Sequence, residues 1–112
     1  MNKQRQIESF KKLVEKAENI LLKKGDDYAN TDRLSNFKDA GRITGITTEQ
    51  HCLALISTKV ARLGNLFSGK VPNNESIQDS ILDLFNYAAL LNMIVEENNS
   101  MEIKPCANEK EN

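Results

Sequence analysis

Three long stretches of the chain repeat apolar residues with the period of an α-helix. Over residues 4–24, apolar side chains recur at i, i+3, i+4 and i+7, and charged side chains fill the other positions. Gly25 is predicted to end this helix. The second stretch, residues 48–68, follows threonines that suit an N-cap and ends before Gly69, and the third covers about 75–97, with Asn74 as its predicted cap. No stretch alternates with a period of two, so the pattern predicts an all-α bundle of three to four helices.

The segment between the first two helices, residues 25–47, is rich in turn-forming residues but also holds large apolar ones. A connection of this length inside one domain is usually functional or contains a short helix, predicted here over residues 32–40. Residues 1–97 are predicted to form a single domain. Residues 98–112 are predicted to form a flexible polar tail, because they hold too few apolar residues to order themselves.

Composition excludes several classes of protein. A net charge of −1 argues against a binder of duplex DNA, and no apolar run approaches the roughly 18 residues that span a bilayer. Two distant cysteines and a single histidine support neither a disulfide framework nor a zinc site. The N-terminal residues lack the apolar region of a signal peptide, which predicts a cytoplasmic protein, in the host cytosol if a phage encodes it.

Charge is distributed unevenly along the chain. Residues 1–25 hold seven Lys or Arg and three Glu, whereas residues 75–112 hold two Lys and eight acidic residues. This asymmetry fits first and last helices that pack together, and it also fits a site with a cationic and an acidic half.

The third predicted helix carries its polar residues on one stripe. At about 100° per residue, Glu75, Asp79, Asp83 and Asn86 lie on the same side. The helix is otherwise apolar nearly all round, so Asp83 and Asn86 are expected to be partly buried and to need polar partners. The opposite side is predicted to face the core, and it carries Ile77, Ile81, Leu84, Ala88, Leu91 and Val95.

The second predicted helix places Lys59 in the middle of its apolar stripe and Arg62 at the edge of that stripe. Two interpretations are open. In the first, Lys59 and Asp83 form an ion pair that sets the register of the two helices. In the second, Lys59 and Arg62 contact phosphate oxygens in a polar cleft, and the carboxylates hold a divalent ion, a ribose hydroxyl or a base amine. The apolar residues around Lys59 are Cys52, Leu55, Ile56, Leu63 and Leu66.

The connecting segment supplies further candidates for a binding site. Its charged, amide and aromatic residues could stack on a base and bond its edge, or they could form a turn-rich connector with two aromatics in the core. The residues concerned are Lys24, Asp27, Tyr28, Asp32, Arg33, Asn36 and Phe37.

Four short motifs follow one another in a recognisable order. They are Lys24-Gly25-Asp26-Asp27-Tyr28-Ala29, then Asn36-Phe37, then Lys59 and Arg62 in LISTKVARL, then Asp83-Leu84-Phe85-Asn86-Tyr87 in ESIQDSILDLFNYAALL. Over about residues 20–95 the chain resembles the first nucleotide-modification-associated domain family of phages and bacteria. That resemblance implies a small all-α protein, mostly phage-encoded, tied to nucleotide metabolism or nucleic-acid modification, and it adds Tyr87 to the candidate site.

The layout is also distantly similar to all-α nucleoside triphosphate pyrophosphohydrolases of the MazG and dUTPase type. Those enzymes bind magnesium with an E-x-x-E helix and a later E-x-x-D helix. Here the E-x-x-E set is missing, Lys59 occupies the facing position, and only Glu75, Asp79 and Asp83 remain as metal ligands. The departure favours binding over hydrolysis.

The resulting expectation is a phage-type nucleotide-binding protein without turnover and without a cofactor, which sequesters a nucleotide such as a host immune signal. The alternative is a magnesium-dependent nucleoside triphosphate pyrophosphohydrolase of phage nucleotide metabolism or DNA modification. The expected partners are a nucleotide and a second copy of the chain, in a homodimer or higher even oligomer, because the third helix is apolar on more than one face. The ligand-binding candidates are Lys24, Asp27, Tyr28, Arg33, Asn36, Phe37, Lys59, Arg62, Asp79, Asp83, Asn86 and Tyr87.

Overall fold

The computed structural model describes residues 1–26, 32–71 and 76–101, with only the backbone at 24–26 and 101. Four helices form, α1 (Lys3–Asp26), α2 (Ser35–Thr44), α3 (Thr48–Phe67) and α4 (Ile77–Met101), and the described ranges contain no strand. The all-α prediction is confirmed. None of the helices in these ranges combines the length and apolar character needed to cross a bilayer.

Helix α1 begins where Asn2 caps it, because the Asn2 Oδ1 accepts a hydrogen bond from the Arg5 N–H at 2.9 Å. It continues to Asp26, so the prediction that Gly25 ends the helix is wrong: Gly25 lies in the last turn. Ala17 is buried, whereas every residue through Lys12 is exposed. Only the second half of α1 therefore packs on the rest of the molecule.

The short helix predicted over 32–40 is present, but it lies three to four residues further along, at Ser35–Thr44. Asp32 precedes it and accepts a hydrogen bond from the Leu34 N–H at 2.9 Å. Gly41 lies within the helix because the following turn crosses it closely: a Cβ there would stand 2.9 Å from the Ile46 carbonyl oxygen. The helix ends instead at Gly45, whose φ of 77° is left-handed.

Helices α3 and α4 both begin with capping boxes. The Thr47 hydroxyl accepts from the Gln50 N–H while the Gln50 side chain accepts from the Thr47 N–H, at 3.1 and 2.9 Å. Ser76, not the predicted Asn74, caps α4: its hydroxyl accepts from the Asp79 N–H at 3.0 Å. Helix α3 matches its predicted span to within a residue, and α4 extends to Met101, four residues past its predicted end. Residues 98–101, which the sequence assigned to the tail, therefore continue the helix, and the rest of the predicted tail, 102–112, lies outside the described residues.

The helices pack in the order α2, α3, α4, α1, with α3 and α4 forming the central pair. The polar contacts along this pair include those of Glu49 with Asn98, Lys59 with Asp83, and Arg62 with Ser80. Residue numbers rise on α3 as they fall on α4, so the two helices form an antiparallel hairpin. The core lies where α2 meets this hairpin, and it consists of Leu34, Phe37, Cys52 and Ile94, with Leu55, Ile56, Tyr87, Leu90 and Leu91 packed against it.

The predicted core face of α4 is wrong. Ile81 and Val95 of that face are 38% and 42% exposed, and Ala88 is exposed as well. Helix α4 is apolar nearly all round, so its periodicity does not select one buried side. The side that is buried carries Ser80, Leu82, Asn86 and Ile94. On α3, by contrast, the predicted apolar stripe around Lys59 does face α4.

Candidate functional site

A cleft of ≈ 1140 Å³ opens between the second half of α1, the start of α2, the first turns of α3 and the part of α4 from Asp83 to Ser100. Its volume is on the scale of pockets that hold small-molecule ligands, about 300–1,000 Å³. Six of the twelve predicted ligand-binding residues line it, namely Arg33, Asn36, Phe37, Asp83, Asn86 and Tyr87. The structure therefore brings residues of the connecting segment and of α4 to one place.

Apolar and aromatic side chains from all four helices form part of the cleft wall. Phe37 is buried at 8% exposure, and the ring of His51 meets it edge-on, with centroids 5.9 Å apart and planes at 63°. Phe37 thus belongs to the core, and the surface left for the flat face of an aromatic ligand comes from the half-buried residues of the lining. The apolar and aromatic lining consists of Ile20, Leu21, Phe37, Leu55, Tyr87 and Leu90.

Asn86 is the most buried polar side chain in the cleft, with 7% exposure. Its Nδ2 donates to the Ala17 carbonyl oxygen at 3.0 Å, which ties α4 to α1 across 69 positions of sequence. Among the described residues this is the only hydrogen bond of the Asn86 amide. A second N–H and the amide oxygen therefore remain to bond a ligand, and burial makes such partners valuable.

Arg33 is the cation that lines the cleft. Its Nη2 donates to the Leu22 carbonyl oxygen at 3.1 Å, near the C-terminal end of α1, where carbonyl groups attract cations. The residue as a whole is exposed. A guanidinium with five N–H donors can keep such a bond and still contact an anion.

Asp32, Lys38 and Glu97 fasten the start of α2 to the end of α4. The Lys38 ammonium lies 2.6 Å from Asp32 Oδ2 and 2.7 Å from Glu97 Oε1. The hydrogen bond from Lys38, helped by the Leu34 N–H, lowers the pKa of Asp32. Hydrogen bonds to Asp32 and then to Glu97 raise the pKa of Lys38. This ion network borders the cleft, since Asp32 and Glu97 both line it.

We expect Lys38→Met to lower the free energy of unfolding at neutral pH by about 0.5–1 kcal/mol, a small amount because the side chains are 35–37% exposed. The depressed Asp32 pKa stabilises the fold above about pH 4, and that contribution is lost as the pH falls through the folded pKa. The raised Lys38 pKa stabilises the fold below about pH 10 and is lost above it.

Urea unfolding across pH checks this: the difference between wild type and Lys38→Met should shrink at both extremes. Arg42→Met is the matched control, because Arg42 pairs with Asp39 on the exposed side of α2, where the side chains are 72% and 53% exposed. A difference that stays constant from acid to alkali would contradict the assigned ion network.

Lys59 and Asp83 form an ion pair with Nζ and Oδ2 2.9 Å apart, and their side chains are 16% and 26% exposed. Asp83 lines the cleft, but Lys59 does not belong to its lining. Of the two open interpretations, the structure shows the contact that the first requires. Cys52 lies about two turns before Lys59 on α3, and its Sγ donates to the Tyr87 carbonyl oxygen at 3.4 Å. Burial raises the pKa of the Cys52 thiol.

Arg62 and Asp79 lie nearer the other end of the hairpin. Arg62 Nε donates to Ser80 Oγ at 3.2 Å, and its side chain lines a smaller cavity of ≈ 370 Å³ together with Asn65 and Lys70. The Asp79 carboxylate accepts from the Ser76 N–H at 3.4 Å as part of the α4 capping box. Neither residue lines the cleft.

The predicted magnesium ligands do not form a cluster in the part of the chain that the structure describes. Asp79 serves the helix cap and Asp83 the ion pair, and within the described ranges no three His, Cys, Asp or Glu side chains are grouped to hold a metal ion. Glu75, Asp27, Tyr28 and the side chain of Lys24 lie outside the described residues.

Several residues of the cleft were missed by the sequence predictions. Met93, Glu96, Glu97 and Ser100 line it at the end of α4, and His51 and Leu55 line it on α3. The α4 set could have been found, because positions 86, 90, 93, 97 and 100 follow one helical stripe. The contribution of α3 depends on how α2 packs and has no pattern in the sequence.

No family model, curated protein or solved structure matches this chain at a significant level. The resemblance to the nucleotide-modification-associated domain therefore stays a prediction carried by its four motifs.

Proposed function

We propose that this protein binds a nucleotide in the cleft and holds it without chemical conversion. The observation that carries the proposal is the buried Asn86 amide, with a spare donor and acceptor, in a cleft that Phe37 and Tyr87 also line. A flat base needs an aromatic or apolar surface for its face and a donor–acceptor pair for its edge. Base–aromatic stacking contributes about 1–3 kcal/mol per base.

The charges of the cleft suit the other parts of a nucleotide. Asp83 and Glu97 are already paired with Lys59 and Lys38, so two of the acidic groups do not repel an anion at full strength. Their oxygens can still accept hydrogen bonds from ribose hydroxyls or base amines. The exposed Arg33 is the group that would contact phosphate, since a guanidinium bonds phosphate oxygens in pairs.

Binding without turnover is supported by the roles of the acidic residues on α4. Asp79 and Asp83, which the hydrolase alternative needs as magnesium ligands, are engaged in a helix cap and an ion pair. A protein that binds a nucleotide and does not convert it acts by lowering its free concentration. Sequestration of a host signalling nucleotide by a phage-encoded protein is the corresponding biological role.

The first experiment incubates the protein with nucleoside triphosphates, deoxynucleoside triphosphates and cyclic dinucleotides, with and without magnesium. Calorimetry measures binding, and mass spectrometry after denaturation identifies what is released. We expect an intact nucleotide with micromolar or tighter affinity. Release of pyrophosphate and a monophosphate only when magnesium is present would support the pyrophosphohydrolase instead, and no binding of any nucleotide would contradict both functions.

We expect Arg33→Gln to weaken binding of the best nucleotide by about ten- to a hundredfold, the loss of one charged hydrogen bond of about 1.5–3 kcal/mol. Arg42→Gln is the matched control on the same helical segment, because Arg42 lies outside the cleft and pairs with Asp39. Isothermal calorimetry at one salt concentration compares the three proteins.

Arg62→Ala shows which of the two cavities binds phosphate. If Lys59 and Arg62 contact phosphate, as the second interpretation of the sequence holds, this variant folds and loses ligand. A site in the cleft predicts instead that it keeps ligand, because Arg62 lines the smaller cavity. If Arg62→Ala abolishes binding and Arg33→Gln does not, the nucleotide binds at the Arg62 end of the hairpin, and the cleft proposal is wrong.

A further inference from the structure

The α3–α4 hairpin has one side that no other described helix covers. We name this side the hairpin face and define it by apolar residues on both helices. On α3, Leu53, Val60 and Phe67 are 55%, 53% and 67% exposed, and each is seven positions from the next. The α4 residues of the hairpin face are Ile77, Ile81, Leu84, Ala88, Leu91 and Val95, which are exposed or half-buried. Leu91 lies at the edge of this face, because it also packs against the core.

Helical geometry puts the two sets on the same side. On α3, Leu53, Val60 and Phe67 lie about 80–120° to one side of Lys59, whereas His51 and Leu55 at the cleft lie to the other side. On α4, the six residues of the hairpin face lie about 80–160° to one side of Asp83, while Asn86, which bonds α1, lies to the other. Because the helices are antiparallel, these free sides turn the same way, opposite to the cleft.

The spacing on the hairpin face is that of helices that pack on helices. From Ile77 to Val95 the apolar residues are separated by four, three, four, three and four positions. On α3, Leu53, Val60 and Phe67 recur every seven positions, and the intervening Ile56 and Leu63, which are half-buried and buried on the side toward α4, complete the same alternation. A heptad spacing sustained on a helix side specifies a partner helix, with each apolar side chain inserted between four residues of the neighbour.

The described part of a single chain leaves this packing incomplete. It buries only seven apolar side chains and exposes thirteen large ones. The hairpin face spans two helices, the shorter with 20 residues and so about 30 Å long, each about 10 Å wide. Its area is on the order of 600 Å², close to the roughly 800 Å² that each partner contributes to a stable interface.

We propose that two copies of the chain pack through their hairpin faces into an antiparallel four-helix bundle with two-fold symmetry. A second copy fits because the hairpin face presents the same two heptad helices that it would need as a partner, and a two-fold interface requires such self-complementarity. The polar residues on this side are the uncharged Ser57, Asn92 and Asn99, together with Glu49, which accepts a hydrogen bond from Asn98, so no lysine or arginine of α3 or α4 lies on it. A helix that binds a membrane surface instead carries lysines and arginines beside its apolar side.

The dimer does not depend on the proposed nucleotide site. The cleft lies on the opposite side of the hairpin, so each dimer carries two clefts that face away from the interface. Disrupting the dimer should leave nucleotide binding unchanged, and disrupting the cleft should leave the dimer intact. The two proposals can therefore fail separately.

Sedimentation equilibrium at micromolar concentration tests the dimer with Val60→Glu and a matched control. The wild type should have twice the mass of the 12.6 kDa chain. Val60→Glu should reduce the observed mass to that of one chain, because association would bury the unpaired glutamate charge in the interface. Ile43→Glu places the same charge at an apolar residue of α2 that is 80% exposed, and it should leave the mass unchanged. A larger even oligomer whose mass Val60→Glu halves also supports the interface.

A second measurement uses the unmodified protein, so it stays valid if Val60→Glu does not fold. Dimer stability depends on protein concentration by mass action, so the unfolding temperature should rise as the protein is concentrated. A wild-type monomer at micromolar concentration overturns the proposal. So does an oligomer whose mass a folded Val60→Glu protein retains, or a monomer that sediments with anionic phospholipid vesicles.

Discussion

Ile94→Ala is expected to lower the free energy of unfolding by about 3–4 kcal/mol, within the range of about 2–5 for truncating a buried isoleucine. Ile94 is 2% exposed and belongs to the cluster in which Leu34, Phe37 and Cys52 meet. Ile94 therefore lies where α2, α3 and α4 pack together. The described residues bury only seven apolar side chains. Little other packing therefore holds the three helices together once the substitution leaves a cavity at position 94.

Urea unfolding followed by circular dichroism measures this loss at a fixed protein concentration. Ile43→Ala is the matched control, since the same atoms are removed from a side chain that is 80% exposed, and it should change stability by less than about 0.5 kcal/mol. Equal effects of the two substitutions would mean that the described core is not the one that stabilises the protein.

Lys59→Met is expected to cost about 2–3 kcal/mol of stability. Removing one partner of a fully buried ion pair costs about 3–5 kcal/mol, because the other charge is left without compensation. The pair here is 16% and 26% exposed, so water relieves part of that cost. The Asp83 carboxylate, 2.9 Å from the missing ammonium, is the charge left behind.

The double variant Lys59→Met, Asp83→Leu should recover most of the loss, because it leaves no stranded charge between the helices. Thermal and urea unfolding of both single variants and the double variant measure the coupling. If Lys59→Met instead folds with unchanged stability and loses nucleotide affinity, Lys59 is a phosphate-binding cation and the ion-pair assignment is wrong.

The three long helices were predictable from the sequence because the residues that specify each helix lie within that helix or next to its ends. Apolar side chains at helical spacing define α1 and α3, and the threonines before α3 place its start correctly through the capping box. These are local effects, within about four residues of each other along the chain. The pairing of Lys59 with Asp83 could also be anticipated, since a lone cation and a lone acid on apolar stripes have few other partners.

The end of α1 was placed wrongly because a glycine can either end a helix or lie within one. Gly25 was predicted to end α1, yet it lies in the last turn of that helix. Gly41 is needed where the backbone of Ile46 passes close to α2, a contact between segments that the sequence does not display. Gly45, four residues on, is the glycine whose left-handed conformation ends the helix.

By itself the sequence determined the helical class, the starts of α1 and α3, the approximate lengths of the long helices, and the residues that are chemically out of place on them, because these follow from side chains a few positions apart. Only the tertiary structure decided which side of α4 is buried, since that helix is apolar nearly all round and its neighbours make the choice. It likewise decided that Arg33, Asn36 and Phe37 share a cleft with Asn86 and Glu97, whereas Arg62 and Asp79 do not. A binding site between helices depends on distances that no period along one helix contains.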